Sequence, residues 1–264
     1  MLDQILAQIF TSQWIVIAVA SALLLGATEF GFHFGLRLYR TKDDARRGQI
    51  GGIQGAMLGL LALLLGFTFA MAVGRYDARR GLVLSEANAI GTTYLRADLL
   101  PATHQLAVEN LLRRYVDVRL DFYAAGEDKQ KQAAAERNAV QLQRELWSQA
   151  VAAGKEAPTP LIPIFINALN ETIDLDATRM NALRTRVPGA VWLLVLSVAV
   201  WGCCASGYGA GASGARNGFA NFVLPLLIAV VITLIADLDR PRGGLIGISQ
   251  QPLLDLKESI AVAK

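Results

Sequence analysis

The chain has 264 residues, 53% of them hydrophobic and 18% charged, with a formal net charge of +3. A mean hydropathy of +0.38 is too apolar for an ordinary soluble domain of this size, and the small net charge with no long basic run excludes a nucleic-acid partner. The two cysteines, Cys203 and Cys204, are adjacent within an apolar segment, so neither a disulfide between them nor a metal site is expected, and both read as small packing residues.

Four apolar segments have spanning length. The first covers residues 14–36 and carries Glu29 and His33 near its end. No cleavable leader is expected before it, because residues 1–13 contain no Lys or Arg. The second, residues 50–74, holds no charged side chain at all. A bilayer needs about 20 apolar residues, and a soluble core helix is rarely so long and apolar on every face. The third, residues 187–208, is entered through Pro188, and the fourth, residues 219–238, contains Pro225. The connection 207–218, rich in Gly, reads as a short loop that makes a hairpin of the last two spans.

Between the second and third spans lies an amphipathic stretch. Apolar residues recur at helical spacing over 82–100, up to Pro101. The pattern resumes over 106–123, with Leu111, Leu112, Tyr115, Val118 and Phe122 as a stripe, and breaks at Gly126. Residues 127–153 read as a helix, 154–160 as a loop, and 161–186 as a further helix leading into the third span. The expected fold is therefore all-α: a four-transmembrane-helix bundle whose helices extend into an aqueous helical domain. The divisions are 1–74 for the first two spans, 75–186 for the aqueous domain, 187–238 for the last two spans, and 239–264 for a tail that packs on the helical domain.

The second span carries the functional signal. Gly51, Gly55 and Gly59 follow one another at i, i+4 and i+8, and Gly66, Ala70 and Gly74 continue much the same face. Small residues at this spacing suit either tight packing in lipid or a pore wall of modest side chains. Leu63 and Phe67 project near that side, as apolar rings in a channel would. Beyond the span come Arg75, Asp77, Arg79 and Arg80. They read either as interfacial anchors or as a pore mouth, with Asp77 and Glu86 as their ion-pair partners. Glu29 and His33, four residues apart, form an intramembrane polar pair, an inter-subunit contact or a pH-sensitive element. Asn88, Tyr94, Arg96 and Asp98 read as a packed capping network. Asp237, Asp239, Arg240 and Arg242 around Pro241 form either a plain helix stop with interfacial charges or a structured turn that docks on the middle helical domain. No catalytic constellation, P-loop, metal-ligand motif or dinucleotide fingerprint is present, so neither an enzyme nor a cofactor is expected.

Charge alone leaves the orientation open. Arg37, Arg40, Lys42, Arg46 and Arg47 crowd the first loop, while Arg75, Arg79, Arg80, Arg179, Arg184, Arg186, Arg240 and Arg242 lie on the opposite side of the spans.

The run Leu65-Gly66-Phe67, followed by Arg75-Tyr76 and Arg80, resembles the second transmembrane helix of bestrophins, where an Arg-Trp-Trp motif begins eight residues after the Phe. Tyr76 and Asp77 stand where that family has its two Trp residues. The wider pattern, Arg75 to Arg80, Glu86 to Asp98 and Asp239 to Gly244, resembles the bestrophin-like bacterial membrane proteins. An acidic cluster like the bestrophin calcium clasp is not found. The resemblance implies a ring-shaped homopentameric ion channel whose second helices line an apolar neck. Phe67 would be innermost, then Leu63, then Gly59, whose small size implies a wider outer neck. It also implies a bacterial inner-membrane, multi-pass protein with its termini and helical domain in the cytoplasm. Its partners would be lipid, inorganic ions and further copies of itself. Because Asp77 and Glu86 can offset the arginines, the charges at the mouth do not fix selectivity, and anion conduction is only slightly favoured. The alternative is a non-conducting scaffold or sensor that signals through the helical domain.

Overall fold

The computed structural model describes residues 13–38, 44–214, 218–242 and 244–262. Among them are eight α-helices and no strand: α1 (Gln13–Leu38), α2 (Asp44–Arg96), α3 (Ala102–Ala124), α4 (Lys129–Glu156), α5 (Ile162–Arg184), α6 (Gly189–Ser213), α7 (Gly218–Asp239) and α8 (Gln251–Val262). The fold class is thus all-α. Four helical segments are long and apolar enough to cross a membrane. Helix α2 is unbroken through 53 residues, so the second span and the amphipathic stretch after it are one element. The chain divides into two units.

The membrane unit holds the described residues up to Arg75, those of Arg186–Arg240 and those of Gly244–Ile246. Its α1 and α6 meet backbone to backbone. A Cβ on Gly31 would lie 2.0 Å from the Cys204 carbonyl oxygen, and one on Gly207 would lie 1.9 Å from that of Thr28. Gly35 and Gly211 meet Tyr208 and Phe32 in the same way, at 2.3 and 2.2 Å. These contacts explain a correction to the sequence reading. The glycines from 207 onward were expected to form a loop, yet α6 continues helically to Ser213, and Gly214 ends it with φ of 68°. Glycine costs a helix about 1 kcal/mol per residue, but here it permits close approach in lipid. Leu24, Leu61, Val195, Cys203, Ile228 and Ile232 complete the apolar core.

Behind α7 the chain turns on two buried carboxylates. Asp237 accepts the backbone N–H groups of Leu245 (3.2 Å) and Ile246 (3.0 Å), and Asp239 accepts that of Val187 at 3.0 and 3.1 Å. This is a structured turn, in which Asp239 ties the entry of α6 to the end of α7. The basic first-loop residues Arg40 and Lys42 lie outside the described residues.

The helical unit comprises Tyr76–Thr185, the described residues of Pro241–Gly243 and those from Gly247 onward. Its core is of ordinary aqueous type: Ile90, Leu112, Tyr115, Val116, Leu146, Phe165, Leu169 and Leu253 are at most 1% exposed. Asp128 caps α4, its carboxylate accepting the N–H groups of Gln130 and Lys131 at 3.0 and 3.1 Å. Gly126 supplies the positive φ of 54° between α3 and α4.

Candidate functional site

Helix α2 buries only a narrow stripe in the membrane unit. Leu61, Thr68 and Ala72 are at most 2% exposed, and Leu58 and Leu65 pack on the same apolar core. These positions recur at the three-, four- and seven-residue spacings of one helix face. Among the described residues, the opposite face is largely open. Phe67 is 65% exposed and Leu63 55%. A Cβ placed on Gly51, Gly55, Gly59, Gly66 or Gly74 would find no heavy atom within 4 Å. Tight packing within the protomer is therefore not the reason for these glycines. Gly59, Leu63 and Phe67, four residues apart, share one open face.

The charged residues after the span separate by environment. Asp77 and Arg80 are exposed, and Arg75 is half-buried with an Nη 3.6 Å from the Met71 sulfur. Arg79 is 3% exposed. It donates to the Ala182 and Thr185 carbonyls at 3.2 and 2.9 Å, holding the last turn of α5 and the residues after it. Glu86 departs from the expected pairing with these arginines. Its carboxylate is instead bonded by Arg119 and Arg179. In the membrane unit, Glu29 Oε2 lies 3.9 Å from His33 Nε2, and the two side chains are 49% and 73% exposed.

The buried chemistry of the helical unit was not foreseen. Glu86, fully buried, accepts Arg119 Nε at 2.5 Å and also bonds Arg179. Arg119 reaches Asp176 at 2.5 Å, and Gln143 donates to Asp176 at 2.7 Å and to the Tyr115 hydroxyl at 3.1 Å. Arg179 also donates to Gln250, the residue just before α8. Burial pushes the Tyr115 hydroxyl up to about 12, so it stays a neutral acceptor for Gln143. A sequence signal existed. Val108, Leu112, Tyr115, Arg119 and Phe122 recur at alternating four- and three-residue spacing, which places Arg119 in a core register of α3. Tyr94 and Asp98 are joined through two residues of α3: the Tyr94 hydroxyl donates to Glu109 at 3.5 Å, and Gln105 donates to Glu109 at 3.0 Å and to Asp98 at 2.8 Å, while Arg96 donates to the Ile164 carbonyl at 3.3 Å. Among the described residues no group of three or more His, Cys, Asp or Glu side chains is placed to hold a metal ion.

Comparison with solved structures shows the same fold. A bestrophin homolog from Klebsiella pneumoniae is 14% identical, aligns over 94% of this chain and 96% of its own, and gives a TM-score of 0.62. A variant of a homolog from the same organism gives 0.65 at 14% identity over 94% and 95% of the two chains. A membrane-protein variant gives 0.64 at 14% identity over 92% and 95%. No curated protein matches significantly. A family model for the bestrophin-like domain matches residues 18–253, nearly the whole described chain, and the protein belongs to the bestrophin-like family.

Proposed function

We propose that the protein is an oligomeric ion channel whose neck is lined by α2, with Phe67 innermost, then Leu63, then Gly59. The observation that carries this reading is the open face of α2: an apolar strip of Gly, Ala, Leu and Phe left largely uncovered by the described residues. Four spans cannot enclose a pore alone, so the pore lies on the axis of a ring of identical chains, five by resemblance to bestrophins. A narrow apolar ring offers a desolvating ion no hydrogen bonds and gates by dewetting. Arg75, Asp77 and Arg80 form the mouth, and their surplus of one positive charge favours anions. The chain resides in a bacterial inner membrane, with its termini and helical unit in the cytoplasm. A non-conducting scaffold would use the same strip for subunit packing, and one preparation separates the two readings.

The test is ion flux into liposomes, measured beside the unfolding temperature, for wild type and Phe67→Ala. A channel predicts faster flux in the variant. Stability should change little, because a side chain 65% exposed in the protomer leaves no intra-chain void when truncated. Absent flux in both proteins, with a clear loss of stability or oligomer in the variant, favours the scaffold.

A further inference from the structure

The helical unit contains a cavity of about 440 Å³ beside its ionic cluster, within the roughly 300–1,000 Å³ range of small-molecule sites. One part of the wall is apolar: Leu120, Leu183 and Ile248. The other carries Arg179, Arg242 and Tyr123. The charges beside it do not balance. Arg119, Arg179 and Arg242 stand against two carboxylates, Glu86 and Asp176, and the first two arginines take both. Glu136, a further carboxylate that acts on Arg242, is already 3.6 Å from an Arg184 nitrogen.

Among the described residues, the near contacts of the Arg242 guanidinium are aromatic faces. Its guanidinium carbon lies 4.1 Å from the Phe122 ring centroid and 5.4 Å from that of Tyr123. Its Nε and Nη2 are shut off from water and find no acceptor among the described residues, and the Tyr123 hydroxyl is likewise buried without a partner there. Burial pushes Arg242 below the ordinary guanidinium value, with Tyr123 opposing and Arg119 adding to the shift. Cation–π contacts recover part of this desolvation. Buried donors without acceptors remain costly, and a carboxylate in the cavity would relieve them by drawing the edge of the guanidinium toward it.

We propose that this cavity binds a small organic anion: one carboxylate, held by Arg242, on a compact apolar body seated against Leu120, Leu183 and Ile248. Arg79, also on the wall, donates to the Ala182 and Thr185 carbonyls, so the carboxylate is assigned to Arg242, and the apolar wall disfavours a bare inorganic ion as the occupant. The site lies wholly within the helical unit, so binding is readable whether or not the protein conducts.

The probe is cyclohexanecarboxylate, titrated calorimetrically into the full chain in detergent, with cyclohexanecarboxamide as its uncharged match and inorganic phosphate as charge without the apolar body. The acid should bind saturably, and the amide and phosphate at least about tenfold more weakly, the scale of one lost charge-assisted contact. Arg242→Met keeps the stem on the two rings and should weaken the acid by a similar factor. Arg242→Lys should recover part of it. Equal binding of acid and amide, equal binding of phosphate, or acid binding untouched by Arg242→Met would each overturn the site. Should both variants fail to fold, the wild-type comparison still decides the chemistry. Protection of a Leu254→Cys thiol on the cavity wall, in a Cys203→Ala/Cys204→Ala background, then decides the place: slower modification with the acid supports it, and an unchanged rate overturns it.

Discussion

The two units of this chain solve close packing in opposite ways. In the membrane unit α1 and α6 approach by deleting side chains, and Gly31, Gly35, Gly207 and Gly211 put backbone against backbone. In the helical unit the centre is filled by large and charged groups, with Arg119, Tyr115 and Phe165 at most 1% exposed around a fully buried Glu86. The solvent accounts for the difference. Lipid gives helices no hydrophobic reason to associate, so contact area and close approach must do it. Water drives the burial of large apolar surface, and charges survive inside only when paired and hydrogen-bonded. A third region, the outer face of α2, follows neither rule within the protomer. Its glycines are open, which marks it as a surface for other copies, lipid or a pore.

The charged centre should be the most fragile part. Glu86→Gln removes one carboxylate from two buried guanidiniums, and breaking a buried ion pair from one side costs about 3–5 kcal/mol. The full chain should show a correspondingly large fall in unfolding temperature. A loss below about 1 kcal/mol, less than the cost of one buried unpaired donor, would mean that the introduced amide and water satisfy both arginines. The contrast between the units would then rest on size rather than charge.

The glycine contrast is tested by one matched pair. Gly207→Ala places a methyl 1.9 Å from a backbone oxygen, so α1 and α6 must separate, at a cost of about 1–3 kcal/mol. Gly59→Ala meets nothing within 4 Å, and its gain in helix propensity is about 1 kcal/mol at most. Unfolding temperatures should therefore move in opposite directions, or fall only for Gly207→Ala. A loss for Gly59→Ala comparable to that for Gly207→Ala would place Gly59 in a tight contact between subunits instead of on a pore wall.

How far sequence carries depends on which of these regions is read. Apolar length alone recovers the spans: 14–36 lies within Gln13–Leu38, 50–74 within Asp44–Arg96, and 219–238 within Gly218–Asp239. It errs at Gly207–Ser213, because a run of glycines has the same composition in a loop and in a helix that touches its neighbour's backbone. Only the neighbour tells them apart, and α1 lies about 170 residues away in the chain. The same ambiguity held for the glycines of α2, with the opposite outcome. Proximity of polar partners was legible where they are close in sequence, as with Glu29 and His33, 3.9 Å apart, and misread where they are distant. Glu86 was assigned to the arginines just before it, whereas its partners lie 33 and 93 residues further on. The turn after α7 was readable as a cluster of Asp and Arg around Pro241, but not the separation of its parts: Asp237 and Asp239 serve backbone N–H groups in the membrane unit, while Arg242 stacks on α3 in the other.

The smallest effect should come from charge at the surface of the helical unit. Lys257 Nζ lies 2.8 Å from Asp117 Oδ1, with both side chains about half exposed, at 53% and 51%. The hydrogen bond from Lys257 to Asp117, and then the charge of that carboxylate, raise the lysine above its ordinary value. A raised folded-state value means that the pair's stabilisation is complete below the unfolded lysine value of about 10.4. It is lost as pH climbs through the higher folded value. Solvent screening limits the pair to about 0–1 kcal/mol, so Lys257→Met should lower the unfolding temperature slightly at neutral pH and low salt. The difference from wild type should shrink in about 1 M salt, where screening acts within about 3 Å, and vanish at strongly alkaline pH. The deficit of Glu86→Gln, deep in the same unit, should persist in that salt, because buried charges are screened far less. If salt removed both deficits equally, the ionic cluster around Glu86 would be reached by solvent, and the distinction between buried and surface charge in this unit would fail.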